Sequence, residues 1–587
     1  MQTLGTPWAG HLGAAARRWY HKPRAPPMQC SRRRLRSLAI AASVLCTAML
    51  ASSSAHAYCR YTTSTPAAWD PVSQGGCYAG DPGSANFVLF WAGLCVGYSL
   101  QQDASQYVSL DDATAVAAQA FAAWSAASCS AGGTPSIQAV NNGPVACSNV
   151  QYNNYQPNQN VIVFRDNGWP SDLDHDPSNL ALTTVQFYIN NADSTDLQNG
   201  QILGADMEIN ESDHRIVVDP STFDAGATGV DVYPLLLVMT HEAGHFLGLA
   251  HSALASAIMY ARYHSSSVGA LTQDDIEGIC ATAVPGGLRL TTNAGLIDAG
   301  TTCDPTPTNG FQSECGDPDA AALPAGDDEG GAGSSGDTVN AAMPNTGGCS
   351  VGASSAPQWS AAAGAAWLLG LGLGVRRRTR FRRSSAAAIL GFAVASAGIP
   401  SLVARDARGS TSIAVTFEEL VQSATGVAVV TPVERRATRE NGRIVTYVEA
   451  RVVSLLAGTL PGEIRVRTLG GAVDRMGEIV EGQASFSTEQ PTLVFLQPSK
   501  STPGAFVVVA QAQGQFPVVT GPDAKVRIVA RADPGGIVEP SPDRLDRISR
   551  LLPAGTTPQL ARTLLVERTL EDVKRLVMSS WNRLHSK

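Results

Sequence analysis

The chain has 587 residues, and its 42 Lys and Arg against 50 Asp and Glu give a formal net charge of −8. That balance leaves no basic footprint for nucleic acid. Hydrophobic residues make up 44% and charged residues only 16%, which excludes a disordered acidic chain and points to several globular domains joined by small-residue linkers.

Residues 1–57 read as an N-terminal extension followed by a signal peptide. Arg32, Arg33, Arg34 and Arg36 form the positive flank, an apolar run follows, and Ala55-His56-Ala57 is an A-x-A cleavage signature. A short membrane anchor is the alternative reading. Beyond that point Cys59, Cys77, Cys95, Cys129, Cys147, Cys280, Cys303 and Cys315 form an even set. In an exported chain such a set reads as disulfides. Cys129–Cys147 and Cys303–Cys315 are candidate local pairs, although spacing alone leaves the connectivity open.

Residues 58–300 read as one domain of mixed helix and strand. Asp111–Ala127 has helical character, with Phe121 and Trp124 on one face. Asn160–Asp166, Leu180–Ile189 and Ile202–Asn210 read as strands. A buried helix is expected after Asp231, a candidate N-cap, with Pro234 in its first turn. Leu271–Ala283 contains a further helix, with Thr272 as candidate cap.

The buried helix carries "HEAGHFLGLAH", His241 to His251, which holds three of the chain's 10 histidines. His241 and His245 are spaced i, i+4 and so share a helix face. Two imidazoles at that spacing can hold one zinc, and Glu242 between them can take a proton from a bound water. Gly248 permits the positive φ of a tight helix end, so that His251 arrives from another direction as third ligand. Three protein ligands leave a fourth position for water, the pattern of a catalytic site. A bare H-E-x-x-H also arises by chance on surface helices, but the added glycine and third histidine argue against that here.

The extended motif H-E-x-x-H-x-x-G-x-x-H resembles that of the metzincins, which also carry a methionine turn beneath the metal. Met259 in "SAIMYARY" matches that turn. Ser252 after the third histidine, "MYARY" and "LTQDDIEGI" resemble the matrixins in particular, over roughly residues 85–285. The resemblance implies an α+β, zincin-like fold: a twisted mixed sheet, an active-site helix and a C-terminal helix. It implies zinc on His241, His245 and His251, Glu242 as general base, and Met259 as a hydrophobic floor. Leu237 would line the pocket for the residue after the scissile bond, with Ala261 to Tyr263 as its outer wall. Leu180–Ile189 would pair with an extended protein or peptide substrate, and Asp274 and Asp275 would brace the methionine turn. The places of a second, structural zinc are taken by Leu182 and Glu208. Ser171–Pro177, "SDLDHDP", offers oxygen ligands for calcium or is a solvated loop.

Residues 301–348 are an acidic Gly/Pro/Ser-rich linker. In 349–380, Gly-Cys at Cys349, an apolar run over 359–375 and Arg376–Arg378 resemble the C-terminal sorting tags of myxobacterial surface proteins. That resemblance makes Cys349 the processing or anchoring point. An ordinary membrane anchor through 359–375 is the alternative. Residues 381–406 read as a second signal-like or transmembrane segment, or as the start of a second gene product joined to the first.

Residues 407–550 are β-rich, with a hairpin signal at "ENG", and are expected to form a separate barrel or sandwich. No His, Cys or carboxylate cluster in them has metal-ligand spacing. Residues 551–587 read as an amphipathic helical tail that packs. The expectation is thus an exported zinc endopeptidase, at the cell surface or outer membrane or extracellular. The contrasting one is a non-catalytic surface binding protein whose β-rich domain carries the function.

Overall fold

The computed structural model describes residues 57–314 and 412–585, apart from short stretches of which 220–231 and 261–269 are the longest. The described residues belong to one compact unit. The signal peptide up to His56, Asp231, Ala261, Tyr263, Cys315, Cys349 and the segments 359–375 and 381–406 lie outside the described residues. Among the described residues, no helix is long and apolar enough to cross a membrane.

The first half opens with a short strand, β1 (Cys59–Arg60), and then builds a mixed sheet. Its strands are β2 (Cys95–Leu100), β3 (Gln138–Asn141), β4 (Val161–Arg165), β5 (Ala181–Tyr188) and β6 (Ile202–Asn210). β3, β2, β4 and β6 run parallel, and β5 pairs antiparallel with β6. The three strands expected from alternation and β-branched content are all present. Nearly every residue of β5 and β6 is buried, because both faces of the sheet are covered.

Helix α1 (Leu110–Ser125) starts at Ser109, whose hydroxyl accepts from the Asp112 amide at 3.1 Å. Its buried stripe includes Val116, Phe121 and Trp124. That stripe packs against α2 (Leu235–Phe246), with Phe121 and Phe246 edge-to-face at 5.1 Å. The Trp124 indole N–H donates to the Thr240 carbonyl at 2.8 Å. Pro234 occupies the N-cap of α2 rather than its first turn, with ψ at 121° and no side-chain cap. The ring fixes φ but leaves ψ extended, so the helix begins one residue later. A two-residue strand, β7 (Leu249–Ala250), follows α2 and pairs with β1. Helix α3 (Gln273–Thr282) is capped as expected: Thr272 donates its amide and its hydroxyl to Asp275.

The disulfides differ from the local pairs suggested by spacing. They join Cys59–Cys77, Cys95–Cys303 and Cys129–Cys280. Cys147 is also disulfide-bonded, but not to Cys129. Tertiary packing brings α3 beside the end of α1, so Cys129 meets a residue 151 positions away instead of its chain neighbour.

The second half closes a ring of five strands. They are β8 (Gly426–Glu440), β9 (Arg443–Gly458), β10 (Glu463–Leu469), and, further on, β13 (Thr492–Pro498) and β14 (Phe506–Val508). β8 pairs with both β9 and β13, which shuts the ring. The expected hairpin turn is present, with Asn441 and Gly442 both at positive φ. The tail helix α4 (Leu570–His585) buries Val573 and Val577 against the strands.

Between β10 and β13 lies a hairpin that leaves this ring, formed by β11 (Gly471–Val473) and β12 (Met476–Val480). β12 pairs antiparallel with β5, so the sheet of the first half reads β11-β12-β5-β6-β4-β2-β3. The β-rich half therefore has its own ring but does not stand apart. Arg443 is fully buried at the junction, with Glu478 at 3.2 Å and Glu208 at 3.9 Å.

Candidate metal centre

His241 and His245 project from one face of α2, and Gly248, at φ +96°, turns the chain after it. β7 then carries the chain to His251. All three rings are buried, and one nitrogen from each lies within 4.8 Å of the other two. The Nδ1 atom of His241 is 2.7 Å from the Ile258 carbonyl, and that of His245 is 2.9 Å from the Leu249 carbonyl. Those carbonyls fix the tautomer and turn both Nε2 atoms inward. The two Nε2 atoms sit 3.0 Å apart. Tetrahedral zinc with ordinary Zn–N bonds would hold them about 3.3 Å apart. The Nε2 of His251 is buried and has no hydrogen-bond partner. Burial holds the His241 ring down to about 4 and the other two well below their ordinary value. All three therefore stay neutral near pH 7, the form that binds a metal. This donor set fits zinc.

Glu242 is fully buried beside the cluster. The Thr183 hydroxyl of β5 donates to its Oε2. Met259 packs under α2 so closely that its sulfur leaves no room for a side chain at Gly244. Asp275 holds the methionine turn by accepting from the Ile258 and Met259 amides at 2.8 and 2.9 Å. Asp274 accepts from the Ser252 hydroxyl at 2.5 Å and from the Ala57 and Tyr58 amides. Leu237 is buried one turn before His241.

Two further groups reach the centre from afar. The Tyr61 hydroxyl oxygen lies 3.0 Å from His245 Nδ1 and donates to Glu481. Glu481, directly after β12, places its Oε1 3.1 Å from His251 Nδ1. Burial pushes the Glu481 carboxyl up to about 8, with the Tyr61 hydrogen bond opposing the rise and the Glu242 charge adding to it. "MGEIVEGQ" around Glu481 has no metal-ligand spacing, so only the pairing of β12 with β5 exposes its place.

The "SDLDHDP" loop does not gather its described oxygens about a cation. Asp174 accepts from the Ser499 and Ser501 hydroxyls and the Lys500 amide, all of the second half, and pairs with Arg467. Asp176 accepts from Ser178 and from the Ala510 amide. His175 is 3.1 Å from Glu208, which also binds Arg165 at 2.7 Å. Burial alone would raise the Glu208 carboxyl, but Arg165, His175 and Arg443 together hold it below the usual carboxylate range. An ion-pair network thus stands around Glu208, one of the two places matched to a structural zinc.

Comparison with known proteins agrees with this geometry. A family model described as Matrixin matches residues 174–282. Neutrophil collagenase of Homo sapiens is 48% identical over 64 residues, 10% of this chain and 14% of the relative. Stromelysin-1 of Rattus norvegicus is 56% identical over 48 residues, 8% of this chain and 10% of the relative. Matrilysin of Rattus norvegicus is 53% identical over 47 residues, 8% of this chain and 17% of the relative. The chain thus spans less than a fifth of the length of these relatives.

Proposed function

We propose that residues 58–300 form an exported zinc-dependent endopeptidase. The observation that carries the reading is the trio of neutral, buried imidazoles that bring one nitrogen each within 4.8 Å of the others, the Nε2 of His251 having no hydrogen-bond partner, with Glu242 alongside. Zinc held by His241, His245 and His251 would supply a Lewis acid for the peptide carbonyl and a water of lowered pKa. Glu242 takes the proton of the attacking water and passes one to the leaving amine. Thr183 orients the Glu242 carboxylate for that transfer. Met259 and Asp275 keep the floor of the site fixed.

An extended substrate would pair along β5 in place of β12, and the residue after the scissile bond would enter an apolar pocket at Leu237, for which the resemblance implies an outer wall from Ala261 to Tyr263, outside the described residues. The disulfides are consistent with export. The signal peptide directs it, and Cys349 with 359–375 attaches the product to a membrane surface.

The test compares the wild-type chain with Glu242→Gln, each also with Gly477→Leu, which frees the β5 edge that β12 covers. Both should carry one zinc by elemental analysis, and peptide hydrolysis should fall by about 10²–10⁴-fold in the variant and stop with a chelator. A chain that holds no zinc, or a variant that cuts as fast as wild type, would overturn the reading.

A further inference from the structure

A β-strand has two hydrogen-bonding edges. β6 takes one edge of β5, and β12 takes the other, with Met476 opposite Tyr188 and Val480 opposite Thr184. The chain then runs on into Glu481, past the end of this pairing. On β5 the next residue in that direction is Thr183, whose hydroxyl holds Glu242. So β12 lies antiparallel on the edge an extended substrate would use, and it leads straight to the metal centre. There Glu481 closes against His251 and Tyr61.

The fit is close. A Cβ at Gly477 would come within 2.1 Å of the Phe187 ring, although Gly477 needs no positive φ. A glycine in such a strand marks close approach by a neighbour. Arg443 anchors the same junction by donating to Thr184 at 3.0 Å and pairing with Glu478. No cysteine follows Cys349, so beyond the connecting chain only non-covalent contacts keep β12 in place.

We propose that residues 412–587 are a polypeptide inhibitor of the groove, with β12 in the place of the substrate strand and Glu481 closing the metal end. This rests on the endopeptidase reading above, which gives the groove its substrate. It assigns a function to the β-rich half and makes Glu481 a positioning residue that touches a metal ligand. Cutting within 315–411 would convert the inhibitor into a separate, releasable chain.

The test uses the full zinc-loaded chain in a Glu242→Gln background, where a bound peptide is not cut. A fluorescein-labelled decapeptide with leucine after its central bond is titrated by anisotropy into that chain, and into chains that also carry Gly477→Leu or Glu481→Ala. An occupied groove lowers apparent affinity by the fraction open, so both variants should bind at least about tenfold more tightly. Amide exchange across 184–188 should accelerate in Gly477→Leu. Should one variant fail to fold, the other carries the comparison. Equal affinity in all three chains, or no binding in any, with exchange over 184–188 unchanged, overturns the proposal. If the variants bind the peptide but still fail to cut it once Glu242 is restored, the endopeptidase reading falls and the groove occupant stands.

Discussion

The two halves of the molecule are stabilised by different means. Residues 57–314 carry three described disulfides and all three clustered histidines. Residues 412–585 have no cysteine and a single histidine, His585, and close their ring through strand pairing alone. Yet the two share one sheet, and the groups that meet at the metal centre come from both. The three clustered histidines are fixed by spacing within eleven residues, whereas Tyr61 and Glu481 meet across 420 positions. A local motif can set what a site binds while a distant segment sets what can reach it.

Breaking the junction should have the largest effect on that comparison. Arg443→Ala leaves Glu208 and Glu478 buried with one fewer counter-charge, and should cost about 3–5 kcal/mol in urea unfolding. Restoring neutrality with Glu478→Gln should recover part of the loss. If the single variant unfolds at the wild-type midpoint, the halves are not coupled through this network.

The stapled half can be weakened alone. The double change Cys129→Ser, Cys280→Ser opens a link across 151 residues and should cost about 2–5 kcal/mol. Reducing agent, which opens the other disulfides as well, should lower the melting temperature of the wild-type chain further still, while exchange within β8–β9 changes little. Loss of protection in β8–β9 to the same degree would mean that both halves melt as one.

Asp275→Asn tests the support beneath the ligands. It replaces a carboxylate that accepts from the Ile258 and Met259 amides, and should cost about 1–3 kcal/mol. The variant should also release zinc faster to a chelator, because the Ile258 carbonyl orients His241. Unchanged zinc release would show that the turn does not steer the ring.

The smallest effect sharpens the long-range contact. Tyr61→Phe removes the hydroxyl that donates to Glu481 and should cost about 1 kcal/mol. In a Glu481→Ala background the same change should cost less, because only the Tyr61 contact with His245 is then lost, a coupling that a double-mutant cycle reads directly. Equal costs in both backgrounds would mean that the two side chains do not act together.

Spacing and alternation alone determined much of the first half. The i, i+4 histidines, Gly248 and Met259 had to converge once α2 formed, because helix geometry and one positive-φ turn leave few other arrangements. The strands 161–165, 181–188 and 202–210 and the Thr272 cap followed from burial patterns and local hydrogen bonds in the same way. Tertiary structure decided the rest. Which cysteines meet depends on how α1 and α3 pack, and sequence distance carries no information about that. The placing of β12 on β5 depends on an open strand edge, which any extended segment of suitable shape can fill; nothing in "MGEIV" names its partner. Glu481 reaches His251 only because that edge was taken, so the histidine cluster was written locally and the carboxylate beside it was placed by the fold.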